Sequence, residues 1–178
     1  MKTQKEFYES LMEVLPQYPQ QETADLIYAL SQSSRPSFIV GNGGSSAIAS
    51  HVAEDYTKIA GIRMKTYNDV ALMSCLANDY GWDNWIAKAI ELYEEKDAVG
   101  IFISSSGSSS NIINGCKQAN KQGVYTVTLS GFSSDNPLRK LGNLNFWVPC
   151  NKYNVVEVAH EAWLLSICDQ IASKREQI

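Results

Sequence analysis

The chain is poor in several features that mark large classes of protein. No apolar run approaches the roughly 20 residues a membrane-spanning helix needs. The opening MKTQKEFYES lacks the apolar stretch of a signal peptide, so a cytoplasmic location is expected. Only four cysteines occur, Cys75, Cys116, Cys150 and Cys168, widely scattered and without C-x-x-C spacing. That argues against a disulfide framework or a structural zinc site, and all four read as small core residues. Lysine and arginine total 15 against 19 acidic residues, a net charge of −4, and they form no cluster. Nucleic acid is therefore not expected as a direct partner. A small anion stays open, because backbone N–H groups bind anions without lysine or arginine. No G-K-[ST] follows either glycine-rich loop, which disfavours a nucleotide P-loop.

What is present suits a folded domain. The 178 residues are 44% hydrophobic and 19% charged, and 1–178 reads as one unit of ordinary size. Residues 1–33 read as two helices broken around Pro16 and Pro19. Phe7, Leu11 and Val14 or Leu15 share one face of the first, and Ala24, Ile27, Tyr28 and Leu30 one face of the second. Such a hairpin packs either on a neighbouring subunit or on its own sheet.

A strand–loop–helix pattern then occurs twice. Ser37–Val40 reads as a buried strand, Gly41–Ser46 as a loop and Ala47–Ala60 as a helix. Ala98–Ile103, Ser104–Ser110 and Asn111–Lys121 repeat the order. Val124–Leu129 and Leu144–Val148 read as further strands, Ile62–Tyr67 as another, and Val155–Ser173 as a long final helix, with helical Val70–Leu76 and Trp82–Tyr93 between the repeats. The cluster Trp82, Trp85 and Tyr93 suits core or interface packing. Strands alternating with helices predict an α/β fold, a doubly wound, flavodoxin-like sheet of five parallel strands with an N-terminal helical hairpin. Ligands of such sheets bind at the C-terminal strand ends, so both loops should share one crevice.

The loops carry the chemistry. In GNGGSS, glycines permit positive φ and close approach of a ligand, while Ser45 or Ser46 caps the helix and offers a hydroxyl at its positive end. A plain tight turn would look the same. SSSGSSSN places six serines, a glycine and Asn111 within eight residues. As isolated text it resembles a flexible linker. Its direct flanking by a buried strand and a helix argues instead for a phosphate nest of hydroxyls and amides. G-N-G-G-S-S puts Ser46 at the last position of a G-x-G-x-x-G fingerprint, so a dinucleotide reading weakens.

Strand–GNGGSS–helix carrying HVAED, then ANDYG, then ISSSGSSSN, resembles the sugar isomerase (SIS) domain family over nearly the whole chain, most closely its phosphoheptose isomerases. The resemblance implies a phosphosugar in the crevice: Ser104, Ser105, Ser106 and Ser109 on the phosphate, and Asn42, Gly43 and Gly44 with Asn78 and Asp79 along the sugar. It also implies a homotetramer with sites at subunit interfaces, which suits the hairpin at 1–33.

Aldose–ketose isomerisation moves a proton between C1 and C2 through an enediol and needs a base at carbon and an acid or metal at oxygen. In the resembled isomerases, a His and a Glu four residues later on one helix, with a Gln and a His eight later on the last helix, supply these groups or hold zinc. Here His51 matches the first His and Asp55, one methylene shorter, stands for the Glu; the i, i+4 spacing puts both on one face. Anchoring VVEVAHEAW on its shared His puts Glu157 at the Gln position and Leu165 at the second His. Leucine neither moves a proton nor binds a metal. Glu161, on a stripe with Glu157, or His160 beside it, is the candidate replacement acid. His51, Asp55 and Glu157 are the donors left for zinc. Two readings stay open, an isomerase of sedoheptulose 7-phosphate or a related sugar phosphate feeding surface polysaccharide, and a non-catalytic domain that binds a phosphosugar or a protein partner.

Overall fold

The computed structural model describes residues 3–33 and 35–175; residues 1, 2, 34 and 176–178 of the expected unit lie outside the described residues. The chain runs α1 (Gln4–Val14), α2 (Gln20–Gln32), β1 (Ser37–Val40), α3 (Gly44–Lys58), β2 (Met64–Lys65), α4 (Val70–Tyr80), α5 (Trp85–Tyr93), β3 (Val99–Ser104), α6 (Ser110–Lys121), β4 (Tyr125–Ser130), β5 (Leu144–Trp147) and α7 (Tyr153–Arg175). All strand pairings are parallel, in the order β2-β1-β3-β4-β5. From β1 the chain steps outward to β2, then returns to β3 on the other side. The switch point of the doubly wound fold therefore lies between β1 and β3.

Each strand serves two cores because its side chains alternate between faces. Ile39, Ile101, Ile103, Val127, Leu129 and Phe146 face a layer built by α1, α2, α3 and α7. Phe38, Val40 and Phe102 face α4, α5 and α6. This double burial explains why VGIFI reads as a continuous apolar run rather than an alternating one. One contact between β1 and β3 leaves no room for a side chain. Phe38 is paired in register with Gly100, and a Cβ there would collide with the Phe38 ring.

The N-terminal hairpin covers its own sheet. Val14, Leu26, Ile27 and Leu30 are buried in the α7 layer, and Trp163 Nε1 donates to the Leu15 carbonyl at 3.0 Å. Pro16 sits in a short 3₁₀ turn, Leu15–Gln17, between the two helices. Several expectations need correction. Ala24 and Tyr28 are exposed, and Thr23 and Leu26 take their places on the buried face. Cys75 is exposed and Cys150 half-buried, so only Cys116 and Cys168 are core residues. Of the aromatic cluster only Trp85 is in the core; Trp82 and Tyr93 are exposed, so the core alternative holds for Trp85 alone. The strand expected at Ile62–Tyr67 shortens to Met64–Lys65, because an edge strand has a partner on one side only.

Replacing Gly100 by alanine forces a methyl against the Phe38 ring; we expect a loss of about 1–3 kcal/mol, the usual range for overpacking, read as a lower urea midpoint at unchanged slope.

Candidate active site

At the switch point the two loops are tied together. Asn42 Nδ2 donates to Asn111 Oδ1 at 2.8 Å, and Asn111 Nδ2 returns a bond to Asn42 Oδ1 at 2.9 Å. Asn111 is only 1% exposed, so this reciprocal amide pair satisfies groups that water does not reach. It joins the loop after β1 to the start of α6, and brings the N-termini of α3 and α6 to one side of a small pocket. Asn42, Ser45, Ser104, Ser105, Ser106 and Ser109 line that pocket together with Tyr153 and Glu157 of α7, enclosing about 130 Å³.

The first helix begins earlier than its sequence suggested. Gly43 is the N-cap, with φ of +53° and ψ of −121°, and no side chain caps α3. Ser45 and Ser46 are therefore first-turn residues rather than caps, and Ser45 is buried at the pocket wall. Gly44 serves a different purpose. A Cβ on it would meet the Glu157 carboxylate, so the glycine leaves that carboxylate room beside α3.

In the serine loop, Ser104 and Ser109 hydroxyls lie 3.0 Å apart, and Ser106 and Ser108 hydroxyls 2.9 Å apart. Ser105 is different. It is 5% exposed and its Oγ has no hydrogen-bond partner among the described residues. A buried unpaired hydroxyl costs free energy unless something supplies its partner. Two helix N-termini and a wall of hydroxyls without a cation match an anion held by dipoles and neutral donors.

Two turns along α3 from this pocket lies a second cluster. His51 Nδ1 is 2.8 Å from Glu161 Oε1, and His51 Nε2 is 3.3 Å from Asp55 Oδ2. His51 is thus clamped between carboxylates on its own helix and on α7. The hydrogen bond to Glu161 is the main cause of a pKa raised above 6.5, reinforced by the charges of Asp55, Glu161 and Glu54 and opposed by slight burial. The two carboxylates thus shift the balance toward the imidazolium.

Not every expected residue reaches this crevice. His160 is fully buried, its Nε2 lies 3.1 Å from the Ser130 carbonyl, and its Nδ1 has no partner among the described residues. It is a core residue and no replacement acid; burial pushes its pKa down to about 4. Asn78 and Asp79 end α4 at the surface, bonded to each other at 3.0 Å, and neither lines the serine pocket. Leu165 packs half-buried against the core. Tyr153 and the pairing role of Asn111 were missed. Tyr153 carries no sequence signal, since it only marks the start of a helix that packs beside the pocket.

A zinc centre takes three or four protein ligands. His51 Nε2 and Asp55 Oδ2, 3.3 Å apart, make one pair of donors, while Nδ1 is taken up by Glu161. No group of three or more His, Cys, Asp or Glu side chains among the described residues is placed to hold a metal ion. This donor set does not fit a zinc centre.

A parallel sheet with two hydroxyl-rich loops at its switch point defines the class, and the chain belongs to the SIS domain family, whose description matches residues 6–131. Among its relatives, the phosphoheptose isomerase of Sulfurimonas denitrificans is 31% identical over 159 residues, covering 85% of this chain and 80% of that one. A solved phosphoheptose isomerase from Neisseria gonorrhoeae superposes with a TM-score of 0.85 at 23% identity, over 94% of each chain. The NanR protein of Vibrio vulnificus, complexed with ManNAc-6P, superposes with a TM-score of 0.73 at 15% identity, over 97% of this chain and 63% of that one. Both structural likenesses are likenesses of fold.

Two outcomes follow from this geometry. Asn111→Ala strands the Asn42 amide, and we expect a loss of about 1–3 kcal/mol with weakened anion binding, read by denaturant unfolding and by titration with inorganic phosphate. For His160 the folded pKa lies below the unfolded one. Its contribution is complete above about pH 6.5 and is lost as pH falls toward about 4, on the order of 3 kcal/mol. Unfolding curves from pH 7.5 to 4.5 should therefore fall more steeply for the wild type than for His160→Gln.

Proposed function

We propose that this protein is an aldose–ketose isomerase acting on sedoheptulose 7-phosphate or a closely related sugar phosphate, as part of heptose synthesis for surface polysaccharide. The observation that carries the reading is the buried, unpartnered Ser105 hydroxyl in a cation-free pocket at two helix N-termini. A phosphate supplies the missing acceptor. Kinship with phosphoheptose isomerases over most of the chain supports the substrate class.

The distance between the two clusters supports an extended ligand. Gly44 and His51 are seven residues apart on α3, about 10 Å along the axis. A sugar phosphate anchored at the serine pocket would lay its carbonyl end toward His51. There Glu161 fixes the imidazole through Nδ1, leaving Nε2 and the Asp55 carboxylate side by side. In the proposed reaction Asp55 takes the proton from the carbon next to the carbonyl, and His51 gives a proton to the carbonyl oxygen, forming the enediol. The Asp55 carboxyl exchanges its proton with solvent and delivers one to the neighbouring carbon, while the other hydroxyl's proton passes to His51, which completes the isomerisation with no net proton change. Glu157, beside Gly44 between the two clusters, suits a sugar hydroxyl as its acceptor.

The pocket of about 130 Å³ is smaller than the roughly 300–1,000 Å³ of sites that enclose a whole small ligand. We propose that a homotetramer completes it, with the exposed side of the N-terminal helices at a subunit interface, and that the protein works in the cytoplasm. No helix among the described residues is long and apolar enough to cross a membrane. The second reading, a domain that binds a phosphosugar without turnover, is favoured by Leu165 and by the fold shared with NanR, which was seen with a sugar phosphate.

Proton NMR of sedoheptulose 7-phosphate with the protein in D2O separates the two. Isomerisation predicts deuterium at C1 and appearance of the aldose phosphate; His51→Ala or Asp55→Asn then lowers kcat by about 10²–10⁴-fold with little change in KM. Line broadening without exchange in the wild type would establish binding alone.

A further inference from the structure

The serine pocket has an aromatic wall that no motif announces. Tyr153, first residue of α7, lines the pocket opposite the serine loop. Its ring meets Phe132 edge to face, with centroids 4.7 Å apart and planes at 67°. On its other side Phe132 borders a separate cleft formed by α1 and the segment after β5. The two rings thus stand between the phosphate pocket and that cleft.

Phe132 is held unusually. Its φ is +57°, a left-handed conformation that bulky residues rarely adopt. Bonds on both sides fix it there. Gly131 N–H donates to the Ser105 carbonyl at 2.9 Å, and Phe132 N–H donates to the Cys150 carbonyl at 2.8 Å. The first of these bonds belongs to the serine whose hydroxyl lacks a partner. The turn after β4 is therefore buttressed directly on the anion loop, and through Phe132 it sets the ring of Tyr153. Strained residues that the surroundings over-determine concentrate at ligand sites.

We propose that Tyr153 is a ligand-contacting residue whose ring closes the outer wall of the phosphate pocket, and that Phe132 is its positioning residue. The inference rests on the phosphate reading of the serine pocket. The wall acts by packing and by excluding water from the anion, which strengthens the neutral hydroxyl and amide donors facing it.

The test uses the full chain with inorganic phosphate and sedoheptulose 7-phosphate, titrated by calorimetry and by phosphorus NMR. Tyr153 is exposed on its outer side, so Tyr153→Ala should fold; it is expected to weaken both ligands about tenfold and to raise KM with kcat retained. Tyr153→Phe should rescue both. Phe132→Gly, which suits the left-handed backbone, should stay folded by circular dichroism, though with a lower melting temperature, and weaken phosphate as Tyr153→Ala does. Wild-type affinity in Tyr153→Ala overturns the proposal. So does Tyr153→Phe binding as weakly as Tyr153→Ala, which would assign the effect to the hydroxyl. If the wild type binds phosphate but not sedoheptulose 7-phosphate, the substrate assignment falls while the wall is still judged by the phosphate titrations. If it binds neither, both fall.

Discussion

The reciprocal amide pair between Asn42 and Asn111 is the constraint from which the site follows. A parallel sheet that reverses its winding leaves a gap between the C-terminal ends of the two strands at the reversal. The Asn pair bridges that gap, 69 residues apart in sequence. With the two loops fixed to one another, the N-termini of α3 and α6 point into the same volume, and their partial charges add at one place. Without the bridge, each loop would be a turn preceding a helix and nothing more.

The site divides its electrostatics by position along α3. Its N-terminal end, with Ser45, faces the serine loop and is lined by neutral donors, with Glu157 the one charged group. Two turns later the balance reverses, with carboxylates Asp55 and Glu161 around a single imidazole. The anion-binding end and the proton-handling end are thus separated by a rigid helical distance rather than by a flexible loop. Helix α7 serves both ends. Its first turns bring Tyr153 and Glu157 to the anion pocket, and one turn further Glu161 meets His51. Gly44 leaves room for the Glu157 carboxylate beside α3, and Tyr56, donating to the Leu164 carbonyl at 2.9 Å, locks the two helices further along.

Much of this frame was legible in the residues. The apolar strands, the glycine and serine loops and their order predicted the sheet, its parallel winding and a crevice holding both loops. The helix with His51 and Asp55 on one face was readable from four-residue spacing. The failures were local and had local causes. Serine is the expected cap of α3 because serine is a good N-cap, but Gly43 with positive φ turns the chain earlier. Tyr28 was placed inside because it shares a stripe with Ile27, although a phenol at the margin of a stripe is free to face water.

The contrast between His160 and Glu161 marks the boundary between what the chain determined alone and what folding decided. The sequence fixes that the two side chains diverge, since neighbours on a helix point about 100° apart. It does not fix which one faces the crevice. That depends on the rotation of α7 against α3 and β4, set by packing of Val156, Ala159, Trp163 and Leu164 in the core. The same packing placed Tyr153 beside the serine loop and turned Leu165 toward the apolar layer. Periodicity along one helix defines its faces relative to each other; only contact with the rest of the molecule assigns each face a neighbour.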